Sequence, residues 1–293
     1  MIITRLKGGM GNQMFQYALG RALSLRNNTT LGLDMYDLLD KTPRFGRITP
    51  RDYDLDVFNI QAGILSQSQI PFRYRSWGNN RIVVYLRIIF RKLYNRTGKE
   101  KKFTFDPNIF TIGPNAYLDG YWQSYKYFES ISDIIRTDFT LRNPLSKEIQ
   151  ILQKEILETN SVALHVRRGD YVGNIFHNTL TKEYYDRALT ALKEKVMIDH
   201  LYIFSDDIKW CEENLSFGYP ATFVKQEYAG EKGEGHMALM SSCKHCIIAN
   251  SSFSWWAAWL ANSPNKIIIG PKQWFIDDSI DTGDLCPPGW IRI

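Results

Sequence analysis

The chain has 293 residues, long for one domain and comfortable for two, with 44% hydrophobic and 23% charged residues. That is the balance of an ordinary soluble globular protein, and four cysteines in so long a chain exclude a disulfide scaffold. A net charge of +5 fits an anionic small ligand or a membrane surface as well as nucleic acid, and selects none of them.

The N-terminus, "MIITRLKGGMG", has no apolar signal region and no cleavage site, and no run of 18 apolar residues follows, so a cytoplasmic protein is expected. "MIITRL" reads as a strand, "NQMFQYALGRALSLRN" as a helix and "TTLGLD" as a second strand. The turn between the first two is not a dinucleotide fingerprint. Counted from Gly9, the position of the third glycine is Met14, too large for close helix–strand packing. No G-K-[ST] follows, so it is no Walker loop either. What remains is a tight turn whose backbone N–H groups can approach a ligand, with Gly11, Asn12 and Gln13 at a helix start that favours anions and acceptors. "KTPRFGRITPRDYD" reads as loop. Residues 81–102 carry eight basic side chains against Glu100 and fit an amphipathic helix. That helix is either a solvated face or a peripheral contact with a membrane or anionic acceptor. Helices and a break at Pro144 follow, placing the domain boundary near residues 145–160, with domains over 1–150 and 151–293.

The second half alternates. Strands are expected at "SVALHV", "LYIFS", "ATFV", "CIIA" and "KIIIG", separated by helices at "TKEYYDRALTALKEK", "DIKWCEENL", "EGHMALMSSC" and "SFSWWAAWLA". Continuous apolar strands alternating with helices predict a parallel sheet covered on both faces, a Rossmann-like domain. Ligands of such sheets sit at the carboxyl ends of the strands, and in a two-domain arrangement that means an interdomain cleft.

Three strand ends carry candidate chemistry. In "SVALHVRRGDYV", His165 and Arg167 share one face and Val166 and Arg168 the other. Arginine forks match phosphate oxygens, Gly169 permits a turn, and Asp170 can orient a guanidinium; an internal Arg–Asp pair is the structural alternative. Asn250, Ser251 and Ser252 stand where a helix begins, suiting a phosphate or ribose, while Trp255, Trp256 and Trp259 read as core. Asp206 and Asp207 in "FSDDIKW" could bind Mg²⁺ or cap a helix, and capping is preferred. The "CKHC" at 243–246 lacks a matching second pair, so the thiols read as buried and structural rather than zinc-binding. Arg168-Gly169-Asp170 also spells an adhesion tripeptide, but one too near a buried strand to serve as one.

Together "GGMGNQMFQYALGRAL", "HVRRGDYV", "FSDD" and "LMSSCKHCIIANSSFSWWAAWL" resemble the motifs of the bacterial α-1,2-fucosyltransferases, glycosyltransferase family 11. The resemblance spans both halves of the chain, in order. It implies a GT-B-like α/β fold of two Rossmann-like domains facing across a cleft, acceptor side first and GDP-fucose side second. It also implies inverting transfer of L-fucose from GDP-β-L-fucose to the 2-hydroxyl of a galactose, with no cofactor or metal. The acceptor would be a galactose-terminated oligosaccharide or lipid-linked glycan, as in O-antigen biosynthesis. Arg167 falls on the family's β-phosphate contact, and Ser251 and Ser252, followed by Phe253, fall on its nucleotide contacts. Asp170 is the candidate for a catalytic base. The chain departs from the family pattern at His236, Cys246 and Ala257, where Asp, Asn and Gly are common.

Overall fold

The computed structural model describes residues 1–39, 51–70 and 97–293. It divides into two compact units, Met1–Thr140 with Gly283–Leu285, and Leu141–Thr282 with Cys286–Ile293. The division falls about five residues before the sequence-predicted window opens, so residues 141–150 go with the second unit, and a three-residue piece near the C-terminus rejoins the first.

The first unit is a five-stranded parallel sheet in the order β3-β2-β1-β5-β4. Its strands are β1 (Ile2–Arg5), β2 (Leu31–Asp34), β3 (Gly63–Ile64), β4 (Thr97–Lys99) and β5 (Ala116–Asp119). Helix α1 (Met10–Arg26) connects β1 to β2 and begins two residues before the expected segment. Thirteen of its 17 residues are buried, so it is wrapped by its unit rather than laid on the surface. Two further short α-helices, α2 (Tyr36–Leu39) and α3 (Ser132–Asp138), and several 3-10 turns accompany it among the described residues. Of the basic segment, residues 81–96 lie outside the described residues, as do positions 41–50 of the expected loop. Thr97–Lys99 form strand β4 rather than the end of a helix.

The second unit is a six-stranded parallel sheet in the order β11-β10-β9-β6-β7-β8. Its strands are β6 (Ser161–Val166), β7 (His200–Ser205), β8 (Ala221–Phe223), β9 (His245–Ile247), β10 (Ile268–Gly270) and β11 (Ile291–Arg292). Helices α4 (Lys147–Glu158), α5 (Lys182–Lys193), α6 (Ile208–Asn214), α7 (Glu234–Ser242) and α8 (Ser252–Leu260) flank it. Every residue of β6 is buried, as expected of a central parallel strand. Val162, Leu164 and Val166 join the core that holds Tyr185, Ala188 and Leu192 of α5. Trp255, Trp256 and Trp259 of α8 are buried and packed on one another, with Trp255 and Trp256 edge to face at 5.1 Å. Among the described residues no helix is long and apolar enough to cross a membrane.

Candidate functional site

Strand β6 delivers Arg167 to its carboxyl end, one residue past the last strand position. Nε and Nη2 of Arg167 reach Asp170 Oδ1 at 3.1 and 2.7 Å, and Nη1 reaches Asp206 Oδ2 at 3.2 Å. Burial opposes its charge, but the Asp206 and Asp170 carboxylates outweigh that and raise its pKa above the usual arginine value. A guanidinium has five N–H donors, and these contacts leave some of them for a ligand. Asp206 packs so closely under the turn that a Cβ on Gly169 would stand 2.4 Å from its Oδ2. Arg167 is thus held in one place from two sides, while its side chain keeps 22% of its surface exposed.

Arg168 has a different employment from the phosphate contact expected for it. Its guanidinium lies 3.6 Å from the Trp210 ring centroid and pairs with Asp207 at 3.3 Å. Its backbone N–H donates to Asp206 Oδ1 at 2.9 Å. Its backbone leaves the extended region, with φ −129° and ψ −66°, as the turn begins, and its side chain meets Trp210 and Asp207 rather than the partners of Arg167. Asp207 caps α6 through the Trp210 N–H, as expected, but Asp206 caps nothing and braces the two arginines instead. No group of three or more potential metal-ligating side chains exists among the described residues.

Beside β6, strand β9 runs into Asn250 and the start of α8. Ser251 is the N-cap residue, yet its side chain makes no capping bond, so the first-turn N–H groups of α8 have no side-chain cap. Ser252 and Phe253 open the helix, and the Phe253 ring lies 6.0 Å from that of His165. His165 is buried with Nδ1 unpaired, and burial, then Arg167 and His236, depress its pKa to about 3. It is neutral and offers packing and a polar edge, not charge. Asn250 Nδ2 donates to the carbonyls of Asn178 and Trp274 at 3.1 and 3.2 Å, while its buried Oδ1 has no partner among the described residues. His236 bonds the Lys225 carbonyl through Nε2 at 2.9 Å, and Ala257 is core. Cys243 and Cys246 are free, buried thiols, with burial pushing Cys246 up to about 12.

In the first unit, Gly8 has φ +78°, and a Cβ there would meet Asn12 Nδ2 at 2.4 Å. Glycine is therefore required for the turn that aims α1. Gly11 is buried in the helix. Gln13 is fully buried and its amide is occupied: it donates to the Gly8 and Asp52 carbonyls and accepts from the Asp54 N–H. It braces the turn rather than presenting a side chain to a ligand. Asn12 Oδ1 accepts from Gln123 Nε2 at 2.6 Å. The segment after β5, where helices are expected, instead opens on a residue in the left-handed region. Trp122 has φ +57°, and Glu100 accepts the N–H groups of Tyr121 and Trp122 at 2.7 and 2.9 Å. Gln123 Oε1 and Trp122 Nε1 are buried without partners among the described residues. The available sequence signal was the pair of glycines and the polar–aromatic mix at the carboxyl ends of β1 and β5, where the strand order reverses.

Two parallel α/β sheets, each with its polar residues at the strand ends, define a GT-B-like protein. Consistent with that, the solved NodZ alpha-1,6-fucosyltransferase soaked with GDP-fucose superposes with a TM-score of 0.52 at 17% identity, covering 92% of this chain and 94% of that one. The profile of glycosyl transferase family 11 matches residues 85–293. An alpha-1,2-colitosyltransferase of Escherichia coli is 33% identical over 100% of this chain and 99% of its own. The O-antigen biosynthesis glycosyltransferase WbnK of Escherichia coli is 32% identical over 98% and 99%. The chain belongs to glycosyl transferase family 11 and is a glycosyltransferase.

Proposed function

We propose that the chain is a galactoside α-1,2-fucosyltransferase. In this reading it transfers L-fucose from GDP-β-L-fucose, with inversion, to the 2-hydroxyl of a galactose in an oligosaccharide or lipid-linked glycan. The second unit takes the donor and the first the acceptor. The observation that carries the reading is Arg167, immobilised between Asp170 and Asp206 at the end of a central parallel strand. As GDP departs, negative charge grows on the β-phosphate, and a prepositioned guanidinium stabilises it with no reorganisation. That role needs no metal, and the nearby carboxylates of Asp206 and Asp207 are already paired with arginines. The uncapped start of α8, with Ser251, Ser252 and Phe253, supplies N–H and hydroxyl donors for the nucleotide. Work at the inner face of the cytoplasmic membrane, in O-antigen assembly, fits the name of the WbnK relative. A second reading keeps the chemistry and changes the donor: the colitosyltransferase relative favours a different GDP-sugar.

The test is Arg167→Ala and Arg167→Lys, assayed for GDP binding and for transfer to galactose-terminated acceptors, in EDTA throughout. Arg167→Ala should lose at least about a hundredfold in kcat and weaken GDP, and Arg167→Lys should recover little because the planar fork is gone. A lower Tm with unchanged GDP affinity and turnover would reduce Arg167 to a structural ion pair. Wild-type activity lost in EDTA and restored by Mg²⁺ would remove the metal-free mechanism. Competition between GDP-fucose and other GDP-sugars separates the two donor readings.

A further inference from the structure

The first unit is the acceptor side in the proposed function, and its strand order reverses at β1, with β2 and β3 on one side and β5 and β4 on the other. Ligands of open parallel sheets sit at the carboxyl ends beside such a reversal. Lys7 stands two residues past the end of β1, and Tyr121 two residues past the end of β5. The two meet there, with Lys7 Nζ 4.7 Å from the Tyr121 ring centroid. The same Nζ donates to Asp119 Oδ1 at 3.0 Å, and Arg5 Nη1 holds Asp119 Oδ2 at 3.2 Å. The Lys7 backbone is fixed by one side chain: its N–H donates to Gln16 Oε1 at 2.9 Å, and its carbonyl accepts from Gln16 Nε2 at 3.0 Å. Both groups are open to a ligand, Tyr121 with 41% of its surface exposed and the Lys7 side chain with 28%.

An exposed aromatic ring is ordinary on its own. The backbone that presents this one is not. Glu100 takes the Tyr121 and Trp122 N–H groups on separate oxygens, at 2.7 and 2.9 Å, and its own N–H donates to the Asp119 carbonyl at 3.1 Å. A Cβ on Gly120 would stand 2.5 Å from that of Glu100, so the two segments touch too closely for any other residue. Trp122 is held at φ +57°, a region that a bulky residue enters only where its surroundings fix it. That reversal sends Trp122 into the core, edge-on to Tyr127 at 5.6 Å, and leaves Tyr121 outside beside Lys7. Backbone held in this way concentrates where ligands are gripped.

Building on the glycosyl-transfer reading above, we propose that Tyr121 is the stacking platform for the acceptor galactose, with Lys7 donating to the hydroxyls at that sugar's edge. An aromatic face attracts C–H groups, which carry partial positive charge, for the same reason that it attracts the Lys7 ammonium. In galactose the axial 4-hydroxyl leaves the hydrogens of C3, C4 and C5 together on one side of the ring, an apolar patch that lies flat on an aromatic ring. In glucose the C4 hydrogen is on the opposite side, and the patch is broken. The platform therefore distinguishes the two epimers. An ammonium has three N–H donors, and Lys7 spends one on Asp119, so donors remain for the hydroxyls around the patch. Tyr121 is a binding residue in this account, and no bond or proton of the transfer passes through it.

The experiment is saturation-transfer NMR of methyl β-D-galactoside and methyl β-D-glucoside on the full chain with GDP. Acceptor KM, kcat, GDP affinity and Tm are measured alongside for wild type, Tyr121→Ala, Tyr121→Leu and Tyr121→Phe. Wild type should favour the galactoside and saturate its C3, C4 and C5 hydrogens. Tyr121→Ala should lose that pattern and raise the KM of a galactose-terminated acceptor about tenfold, the size of one aromatic contact, at wild-type GDP affinity and Tm. Tyr121→Phe should keep both, and Tyr121→Leu, with similar bulk and no π face, should behave as Tyr121→Ala. Should Tyr121→Ala melt early, the comparison of Leu with Phe at equal Tm decides. The proposal is overturned if Tyr121→Ala keeps the wild-type KM and saturation pattern, if Tyr121→Leu restores both, or if GDP affinity falls in step with the acceptor. It is also overturned if wild type saturates neither sugar. The NMR reads binding without turnover, so a chain inert toward every GDP-sugar ends the transferase reading while the galactoside pattern still decides this one.

Discussion

Arg167 and Arg168 are neighbours in sequence with opposite employments, and the difference is geometric. The chain leaves the extended region at Arg168, with φ −129° and ψ −66°, where the turn begins. Arg167 emerges toward Asp170, Asp206 and the Tyr171 ring; Arg168 emerges onto Trp210 and Asp207. Arg168→Ala should therefore cost stability rather than binding, about 1 kcal/mol for a lost cation–π stack, read as a lower Tm. GDP affinity and turnover per folded molecule should stay near wild type, the reverse of the pattern expected for Arg167→Ala. If Arg168→Ala instead abolished GDP binding at an unchanged Tm, the structural role given to it here would be wrong. The sequence puts the two arginines on different faces, and the placement of Trp210 and Asp207 decides what the second face meets.

At the scale of an element, the start of α8 carries the second half of the donor reading. A working Ser cap is worth about 1 kcal/mol, because it satisfies an orphan N–H of the first turn. Ser251 occupies the N-cap position with no such bond. Ser251→Ala should then change stability by less than about 0.5 kcal/mol, within the range of a neutral substitution. In the proposed function this hydroxyl serves the nucleotide, so GDP affinity should fall. Thermal melts and calorimetric GDP titration check this together. A large fall in Tm with intact GDP binding would make Ser251 an ordinary cap. Helix α1 shows the contrasting case. Its opening is set by Gly8 in the left-handed region and by Gln13 tying the turn to Asp52 and Asp54, so its polar residues are mostly consumed in building the turn.

At the scale of the molecule, the histidines link stability to pH. All five, His165, His177, His200, His236 and His245, have pKa values lowered by burial, His165 to about 3. The unfolded chain therefore binds protons below about pH 6.5 that the folded chain refuses, and stability must fall as pH drops through that range. The contribution is fully present above the unfolded value and is lost progressively toward the depressed folded one. Denaturant melts at about pH 7.5, 6 and 5 should give steadily lower midpoints, and His165→Gln should flatten the slope. A midpoint that rises on acidification would show that these rings are protonated in the folded protein.

The sequence by itself determined five of the six strands of the second unit, the helices between them and the parallel character of its sheet, but not β11. Apolar runs such as "SVALHV" and helical periods such as "TKEYYDRALTALKEK" are local signals, and Ser161–Val166 and Lys182–Lys193 lie where those signals put them. It also marked the strand ends that matter, because an arginine pair or a serine pair after a buried strand is anomalous without any partner in view. The tertiary structure decided which of those polar groups are spent. Gln13 looks available in sequence and is consumed by backbone groups far along the chain, Asn250 has its Nδ2 occupied and its Oδ1 unpartnered among the described residues, and Asp206 changes from a cap to a brace. His177 looks like an ordinary loop residue in sequence and becomes an imidazole stacked on Tyr171, with a buried Nδ1 that has no partner among the described residues. Propensity and periodicity act over a few residues, whereas hydrogen-bond partners are set by contacts across tens of residues. Site chemistry depends on the second kind of information, and a single sequence carries mainly the first.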